Sequence, residues 1–188
     1  MARAWGILLG GGRSARMGHD KLALTRDGQT LAAIGVTALL GVAEHVVVSS
    51  PERSELVSRR VSFALEDPPF GGPVAGIAAA LDVLAEADAD DDLYLLAGDL
   101  ASPERVVATL AGAPRGVDGT VLLDHEGWPQ YLAGRYRLGS LRSALGGEVR
   151  DRSVRSVFGA LDLASVQAAE SVTADVDTPA QARGAGLL

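Results

Sequence analysis

The stretch LLGGGRSARMGHDKL, from Leu8 to Leu22, continues directly from the apolar run AWGILL at positions 4–9. Its three consecutive glycines, at 10–12, leave backbone N–H groups open to phosphate oxygens and permit the positive φ that a curled loop requires. Two arginines and a lysine follow the glycines and supply positive charge. An apolar strand that runs into such a loop predicts a binding site for a polyanion.

The lysine of this stretch stands out in the composition of the chain. Lys21 is the only lysine among 17 basic residues. A compact ammonium and a planar guanidinium bind anions differently, so a lysine at this position indicates a functional role. The alternative is that the single lysine is there by chance.

Two common glycine-rich phosphate motifs do not fit the stretch. A Walker loop has four residues between its glycines and then a lysine, whereas Gly12 and Gly18 are farther apart and His19 follows. The dinucleotide fingerprint would place its third glycine at Ala15, which that pattern tolerates, but it has no role for the continuation at 16–21.

The stretch resembles the signature L-[AG]-G-G-x-S-x-R-M-G-x-D-K of the nucleotidyltransferase superfamily that has a Rossmann-like core. Within that superfamily the chain most resembles the molybdenum cofactor guanylyltransferases. The resemblance implies an α/β fold: a single Rossmann-like three-layer α/β/α domain over residues 1–188, with a mostly parallel sheet and a small β-arm.

Size and composition agree with one such domain. The 188 residues are 47% hydrophobic, which is enough for a sizeable core. The absence of cysteine excludes disulfides, thiolate catalysis, Cys-ligated zinc and iron–sulfur clusters. A net charge of −7 argues against a nucleic-acid-binding surface. We expect a cytoplasmic protein without a membrane span, because no apolar run approaches about 18 residues and the N-terminus lacks signal-peptide features.

The pattern after the glycine-rich stretch predicts a βαβ crossover and a parallel sheet. Apolar residues at helical spacing predict a helix over 30–40, with Thr30 as its N-cap and Gly41 as its end. Three valines in His45–Ser50 predict a buried strand. The remaining predictions are short helices at 51–58 and 139–145, a helix from Pro73, and strands at 61–65, 93–97, 120–123 and 130–136.

Two acidic blocks follow predicted strands, which is where open α/β sheets bind ligands. The first, from Glu66 to Pro73, resembles the family block E-D-x(n)-G-P-x-A-G, and its aspartate, here Asp67, contacts the guanine nucleotide in the family. The second ends a strand at Asp99, where a carboxylate can hold Mg²⁺ beside a triphosphate. The family has C-D-x-P there, with the aspartate as magnesium ligand, whereas this chain has Gly98 for the cysteine and its proline one residue late.

A third acidic block, Ala174–Pro179, resembles the closing N-x-N-T-P block of the family. Aspartate replaces asparagine at Asp175 and Asp177. One of them, with Asp177 preferred, is expected to be a second carboxylate facing the metal.

Three further polar clusters have simpler interpretations than a role in chemistry. The paired strands at 120–136 predict a hairpin or β-arm, a region that approaches the pterin substrate in the family, and we interpret His125 as a turn residue rather than a general base. Arg152 and Arg155 can share a helical face, unlike Arg150, and would either receive a phosphate of the second substrate or face solvent. The acidic run 86–92 is interpreted as a solvated loop rather than a metal cluster.

The expected site combines these blocks at one edge of the sheet. Arg16 and Lys21 are expected to bind the phosphates and, with Asp99, to form the catalytic set. The remaining assignments are Leu9, Gly10, Gly11 and Gly12 along the nucleotide backbone, Asp67 on the guanosine side, Ser49 where the family has an asparagine, and Asp99 with Asp177 as ligands of Mg²⁺.

The resemblance implies a nucleotidyltransferase that moves GMP from Mg·GTP to the phosphate of molybdopterin and releases pyrophosphate. A phosphate nucleophile is already ionised near neutral pH, so no strong general base is required. Two alternatives remain open: a related transferase that uses CTP or another phosphorylated acceptor, and a nucleotide-binding regulatory homologue. Handover of the product to other cofactor-biosynthesis proteins or molybdoenzymes is a further expectation.

Overall fold

A computed structural model of the chain describes residues 2–10, 20–69 and 71–187. Helices alternate with strands along most of its length. The helices are α1 Leu31–Leu40, α2 Pro73–Val83, α3 Pro103–Gly112, α4 Leu138–Ala144, α5 Val154–Phe158, α6 Glu170–Thr173 and α7 Pro179–Gly184. The strands are β1 Ala4–Leu9, β2 Thr25–Arg26, β3 Gln29–Thr30, β4 His45–Ser49, β5 Val61–Phe63, β6 Asp92–Ala97, β7 Gly119–Leu123, β8 Pro129–Arg137 and β9 Leu163–Gln167.

Seven of these strands form one mostly parallel sheet in the order β5-β4-β1-β6-β8-β7-β9. The four strands from β5 to β6 are parallel, β8 is antiparallel to both of its neighbours, and β9 is parallel to β7. Leu9 at the end of β1 pairs with Ser49 on one side and with Ala97 on the other. The carboxyl ends of these three strands therefore lie side by side at one edge of the sheet.

The core lies on both faces of the sheet, which gives the expected three layers. Successive side chains of a strand point to opposite faces. Leu8 accordingly packs in a cluster with residues of α1 and α3, whereas Ile7 and Leu9 pack in a second cluster with residues of α2, α4 and α5. The α/β fold class and the three layers are confirmed.

Most predicted elements are confirmed, with two differences in the region before α2. Thr30 caps α1, its Oγ1 accepting a hydrogen bond from the Ala33 N–H at 3.1 Å. The helix expected over 51–58 is only a 3₁₀ turn at Ser54–Leu56, and β5 ends at Phe63. No described helix is long and apolar enough to cross a membrane.

One residue of the acidic run differs from the solvated loop predicted there. Asp91 is 2% exposed, and its carboxylate accepts hydrogen bonds from Trp5 Nε1 at 2.9 Å and from the Arg3 N–H at 2.8 Å. Burial opposes its ionisation, but these hydrogen bonds and one from the Asp88 N–H outweigh that cost and lower the pKa of Asp91. Asp91 thus anchors the start of β1 to the start of β6.

Candidate active site

The candidate site is built where β1, β4 and β6 end. The Gly10 N–H donates to the Ser49 carbonyl at 3.1 Å, and the Gly98 N–H donates to the Leu9 carbonyl at 2.8 Å. A Cβ added at Gly98 would lie 2.5 Å from that carbonyl oxygen and 2.6 Å from Leu22 Cδ2. Glycine at 98 therefore allows the two strand ends to approach each other closely.

The glycine-rich loop is described only at its two ends. Residues 11–19 lie outside the described residues, and with them the predicted roles of Gly11, Gly12 and Arg16. The description resumes at Asp20, whose Oδ1 accepts a hydrogen bond from the Leu22 N–H at 3.1 Å. That bond caps a 3₁₀ turn over 21–23 and fixes the direction in which Lys21 leaves the loop.

Lys21 lies between two carboxylates. Its Nζ donates hydrogen bonds to Asp99 Oδ2 at 3.0 Å and to Asp177 Oδ1 at 2.7 Å. Burial works against the charge of the ammonium, but the hydrogen bonds to Asp177 and Asp99 outweigh that effect and raise the pKa of Lys21. The tertiary structure thus brings together three residues that are 78 and 156 positions apart along the chain.

Asp177 reaches this position because the chain near it pairs with the loop after β6. The Val176 N–H donates to the Asp99 carbonyl at 2.8 Å, and the Ala101 N–H donates to the Ala174 carbonyl at 2.9 Å. Val176 is completely buried. This short antiparallel pairing holds the third acidic block against Asp99.

Asp175 adds a third carboxyl group to the cluster. Burial, together with the negative charges of Asp99 and Asp177, raises the pKa of Asp175 to about 7, and the nearby ammonium of Lys21 only partly offsets this. The sequence favoured Asp177 of the two aspartates, and it is Asp177 that contacts Lys21.

The chemistry of these side chains fits a divalent cation held together with nucleotide phosphates. Asp99 and Asp177 each place an oxygen within hydrogen-bond distance of one nitrogen, so the two carboxylates face a common point. No group of three or more acidic or histidine side chains among the described residues is arranged to hold a metal by itself. Mg²⁺ commonly takes one or two carboxylates and completes its octahedral shell with phosphates and water.

The other predicted nucleotide contacts lie around the same strand ends. Ser49 is buried, and its Oγ would lie 2.8 Å from a Cβ added at Gly76 of α2. Asp67 is exposed in the loop after β5. Their assigned roles stay predictions.

A cavity of about 500 Å³ opens beside Asp99. Trp128, Tyr131 and Arg155 are among the residues that line it, and the Arg155 guanidinium carbon lies 5.9 Å from the centre of the Trp128 ring. Trp128 is 56% exposed, so its ring is open to a ligand. The cavity combines a flat aromatic surface with a cation next to the Lys21 cluster.

The hairpin that carries Trp128 is fixed by the carboxylate of Asp124. Its Oδ1 accepts from the Glu126 and Trp128 N–H groups at 3.0 and 2.9 Å, and its Oδ2 accepts from Gln130 Nε2 at 2.7 Å. The predicted paired strands are confirmed as β7 and β8, and His125 lies in the turn between them. His125 lines a second cavity of about 560 Å³, which shares Gln130 with the first one.

The prediction that Arg152 and Arg155 share a helical face is wrong. The Ser153 hydroxyl caps α5, which begins at Val154, so Arg152 precedes the helix. Arg150 instead binds the Pro68 carbonyl, and so holds the segment before α5 against the loop that carries Asp67.

Two residues of this region were not found by sequence reasoning. Trp128 has a weak signal, as a large aromatic residue in a predicted turn. Arg53, in the loop after β4, forms an ion pair with Asp20. Nothing near Arg53 in the sequence indicates that pairing, because its partner is 33 positions away.

Comparison with known proteins gives a consistent result. The sequence profile of the MobA-like NTP transferase domain matches residues 6–168. A protein of Opitutus terrae named probable molybdenum cofactor guanylyltransferase is 34% identical over 141 residues, which cover 74% of this chain and 69% of that protein.

Two solved structures share the fold. Rv0371c of Mycobacterium tuberculosis matches with a TM-score of 0.69 at 18% identity, covering 98% of this chain and 97% of that one. The molybdopterin-guanine dinucleotide biosynthesis protein A of Archaeoglobus fulgidus matches with a TM-score of 0.59 at 18% identity, covering 97% and 96%. At these identities the two matches establish the architecture alone.

Proposed function

The chain belongs to the MobA-like NTP transferase family and is a nucleotidyltransferase, and from that premise we propose that it transfers GMP from Mg·GTP to the phosphate of molybdopterin and releases pyrophosphate. The observation that carries the proposal is the position of Lys21 between Asp99 and Asp177, next to the glycine-rich loop. The relative from Opitutus terrae, whose name states guanylyl transfer to the molybdenum cofactor, supports the choice of substrates.

The reaction is an in-line displacement at the α-phosphorus of the nucleotide. An oxygen of the acceptor phosphate forms a bond to that phosphorus, the bond from it to the bridging oxygen breaks, and pyrophosphate leaves with the electron pair. Because both partners are anionic, catalysis depends on positioning and on neutralisation of charge. Mg²⁺, when bound by Asp99 and Asp177, would supply part of that neutralisation.

Lys21 supplies a positive charge from the protein in addition to that of the metal. Its ammonium is held by the carboxylates of Asp99 and Asp177. Asp99 and Asp177 would hold the metal, and the Lys21 ammonium would pair with the phosphates of the nucleotide and stabilise the charge that develops on pyrophosphate. A lysine ammonium is charged throughout the neutral range, and the hydrogen bonds to Asp177 and Asp99 raise the pKa of Lys21 further.

The cavity beside Asp99 is the proposed position of the acceptor. A pterin ring is flat and can stack on the exposed Trp128 ring, and a phosphate can pair with Arg155. Both side chains line the same cavity as Asp99.

Asp67 is proposed to select the base. Its two carboxylate oxygens can accept hydrogen bonds from the N1–H and N2–H of guanine, although a contact to the ribose is an alternative. Asp67 lies in an exposed loop after β5, where a ligand can reach its carboxylate.

The direct test is pyrophosphate release by the purified protein with Mg²⁺ and molybdopterin, offered GTP, CTP, ATP and UTP separately. Release with GTP alone supports guanylyl transfer. Release with CTP indicates the cytidylyl alternative. No release with any of them, while calorimetry still shows metal-dependent nucleotide binding, indicates another acceptor or a regulatory homologue.

A further inference from the structure

Asp20, which follows the glycine-rich stretch, is held by a residue from the loop after β4. Arg53 follows β4, and its Nη2 donates a hydrogen bond to Asp20 Oδ2. The other oxygen of Asp20 accepts from the Leu22 N–H and caps the turn that begins at Lys21. One carboxylate thus joins Arg53 to the backbone that carries Lys21.

This ion pair is buried on the arginine side only. The Arg53 side chain is 16% exposed, whereas the side chain of Asp20 is 48% exposed and its carboxylate remains accessible to a ligand. Among the described residues, the buried Nε of Arg53 has no hydrogen-bond partner.

The negative charge of Asp20 would oppose the binding of phosphates unless a cation neutralised it. Asp20 is the chain neighbour of Lys21, in a site where a triphosphate would bring several negative charges. Without a counter-ion, the Asp20 carboxylate would repel those phosphates and attract the Lys21 ammonium away from Asp99. Arg53 neutralises the carboxylate while leaving its Oδ1 free to cap the turn.

We propose that Arg53 is a positioning residue for nucleotide binding, acting through Asp20 to orient Lys21 and to cancel a negative charge beside the phosphates. The inference rests on the proposed function in one respect, namely that the ligand is a Mg·nucleoside triphosphate. It does not depend on the base or on the acceptor.

The test is calorimetric binding of Mg·GTP, and of Mg·CTP in parallel, to the whole chain without acceptor. Arg53→Ala is expected to weaken binding on the order of tenfold, because it exposes the charge of Asp20 to the phosphates. The second substitution Asp20→Asn in that background is expected to restore binding to within about threefold of the parent, since the Asn oxygen still caps Leu22 and the charge is gone.

Two further variants separate this role from a structural one. Arg53→Gln keeps a hydrogen-bond donor to Asp20 but has no charge. It is expected to weaken binding on the order of tenfold, and it provides the test if the alanine variant does not fold. Arg115→Ala is the matched control, because Arg115 pairs with Asp92 at the opposite end of β6 and its loss is expected to leave binding unchanged.

The outcomes are distinguishable. Unchanged nucleotide affinity in the Arg53 variants, or failure of Asp20→Asn to restore it, would overturn the positioning role while the proposed function stands. Absence of triphosphate binding by the parent protein would overturn both.

Discussion

The Nζ of Lys21 lies 3.0 Å from Oδ2 of Asp99, so the only lysine of the chain is paired with the carboxylate expected to hold the metal. A hydrogen-bonded ion pair couples the positions of its two side chains, so a change at one of them alters the other. The relationship makes the two residues a functional unit rather than independent contacts.

The first prediction concerns this unit. Lys21→Ala is expected to cost more than about 2 kcal/mol of transition-state stabilisation, a loss of about thirtyfold or more in kcat/KM for pyrophosphate release. Lys21→Arg keeps the charge in a planar form and is expected to recover only part of the activity. Turnover of the alanine variant within about threefold of the parent would contradict the role of Lys21.

The second prediction concerns the proposed acceptor surface. Trp128→Ala is expected to raise the KM for the acceptor about fivefold or more while the KM for the nucleotide stays unchanged, because base–aromatic stacking contributes about 1–3 kcal/mol. Val117→Ala removes another exposed apolar side chain, in the turn before β7, and serves as the control. An equal rise in both KM values would indicate that Trp128 supports the site as a whole.

The third prediction concerns the close approach of β1 and β6. Gly98→Ala places a methyl group against the Leu9 carbonyl and is expected to lower the free energy of unfolding by about 1–3 kcal/mol. Gly112→Ala, at the end of α3, has open space around the new methyl group and is expected to be neutral or slightly stabilising. Denaturant unfolding of the two variants measures the difference, and equal stabilities would contradict the steric argument.

The fourth prediction concerns Asp91. Asp91→Asn is expected to lower the free energy of unfolding by about 1–3 kcal/mol. The carboxylate accepts hydrogen bonds from Trp5, Arg3 and Asp88 through both of its oxygens, whereas the amide has a single acceptor oxygen and would turn its NH₂ group toward a donor.

The pH dependence of that difference follows from the lowered pKa of Asp91. The folded-state pKa lies below the unfolded value of about 3.9, so the contribution is fully present above that pH and is lost as the pH falls through the folded pKa. Unfolding curves of parent and variant should therefore converge in acid. A difference that stayed constant down to the acid unfolding of the parent would show that the charge of Asp91 is not involved.

The sequence determined the layers of this protein and the order of their elements. Hydrophobic periodicity located α1, β4, β6 and the β7–β8 hairpin, because side-chain spacing is a local property of the chain. The same locality explains the errors: Arg152 was assigned to a helix that begins only after Ser153, and the buried Asp91 was indistinguishable from its exposed acidic neighbours.

The sequence also determined which residue types the site contains, since the glycine-rich stretch with Lys21 and the acidic blocks around Asp99 and Asp177 are each visible as local motifs. Only the tertiary structure decided that Lys21 contacts both aspartates, that Arg53 pairs with Asp20, and that the Arg155 guanidinium lies over the Trp128 ring. These pairings depend on the register of parallel strands and on the antiparallel return of residues 174–176 to the end of β6. Contacts between residues so far apart along the chain arise only when the whole sheet is assembled, and for that reason no local pattern could specify them.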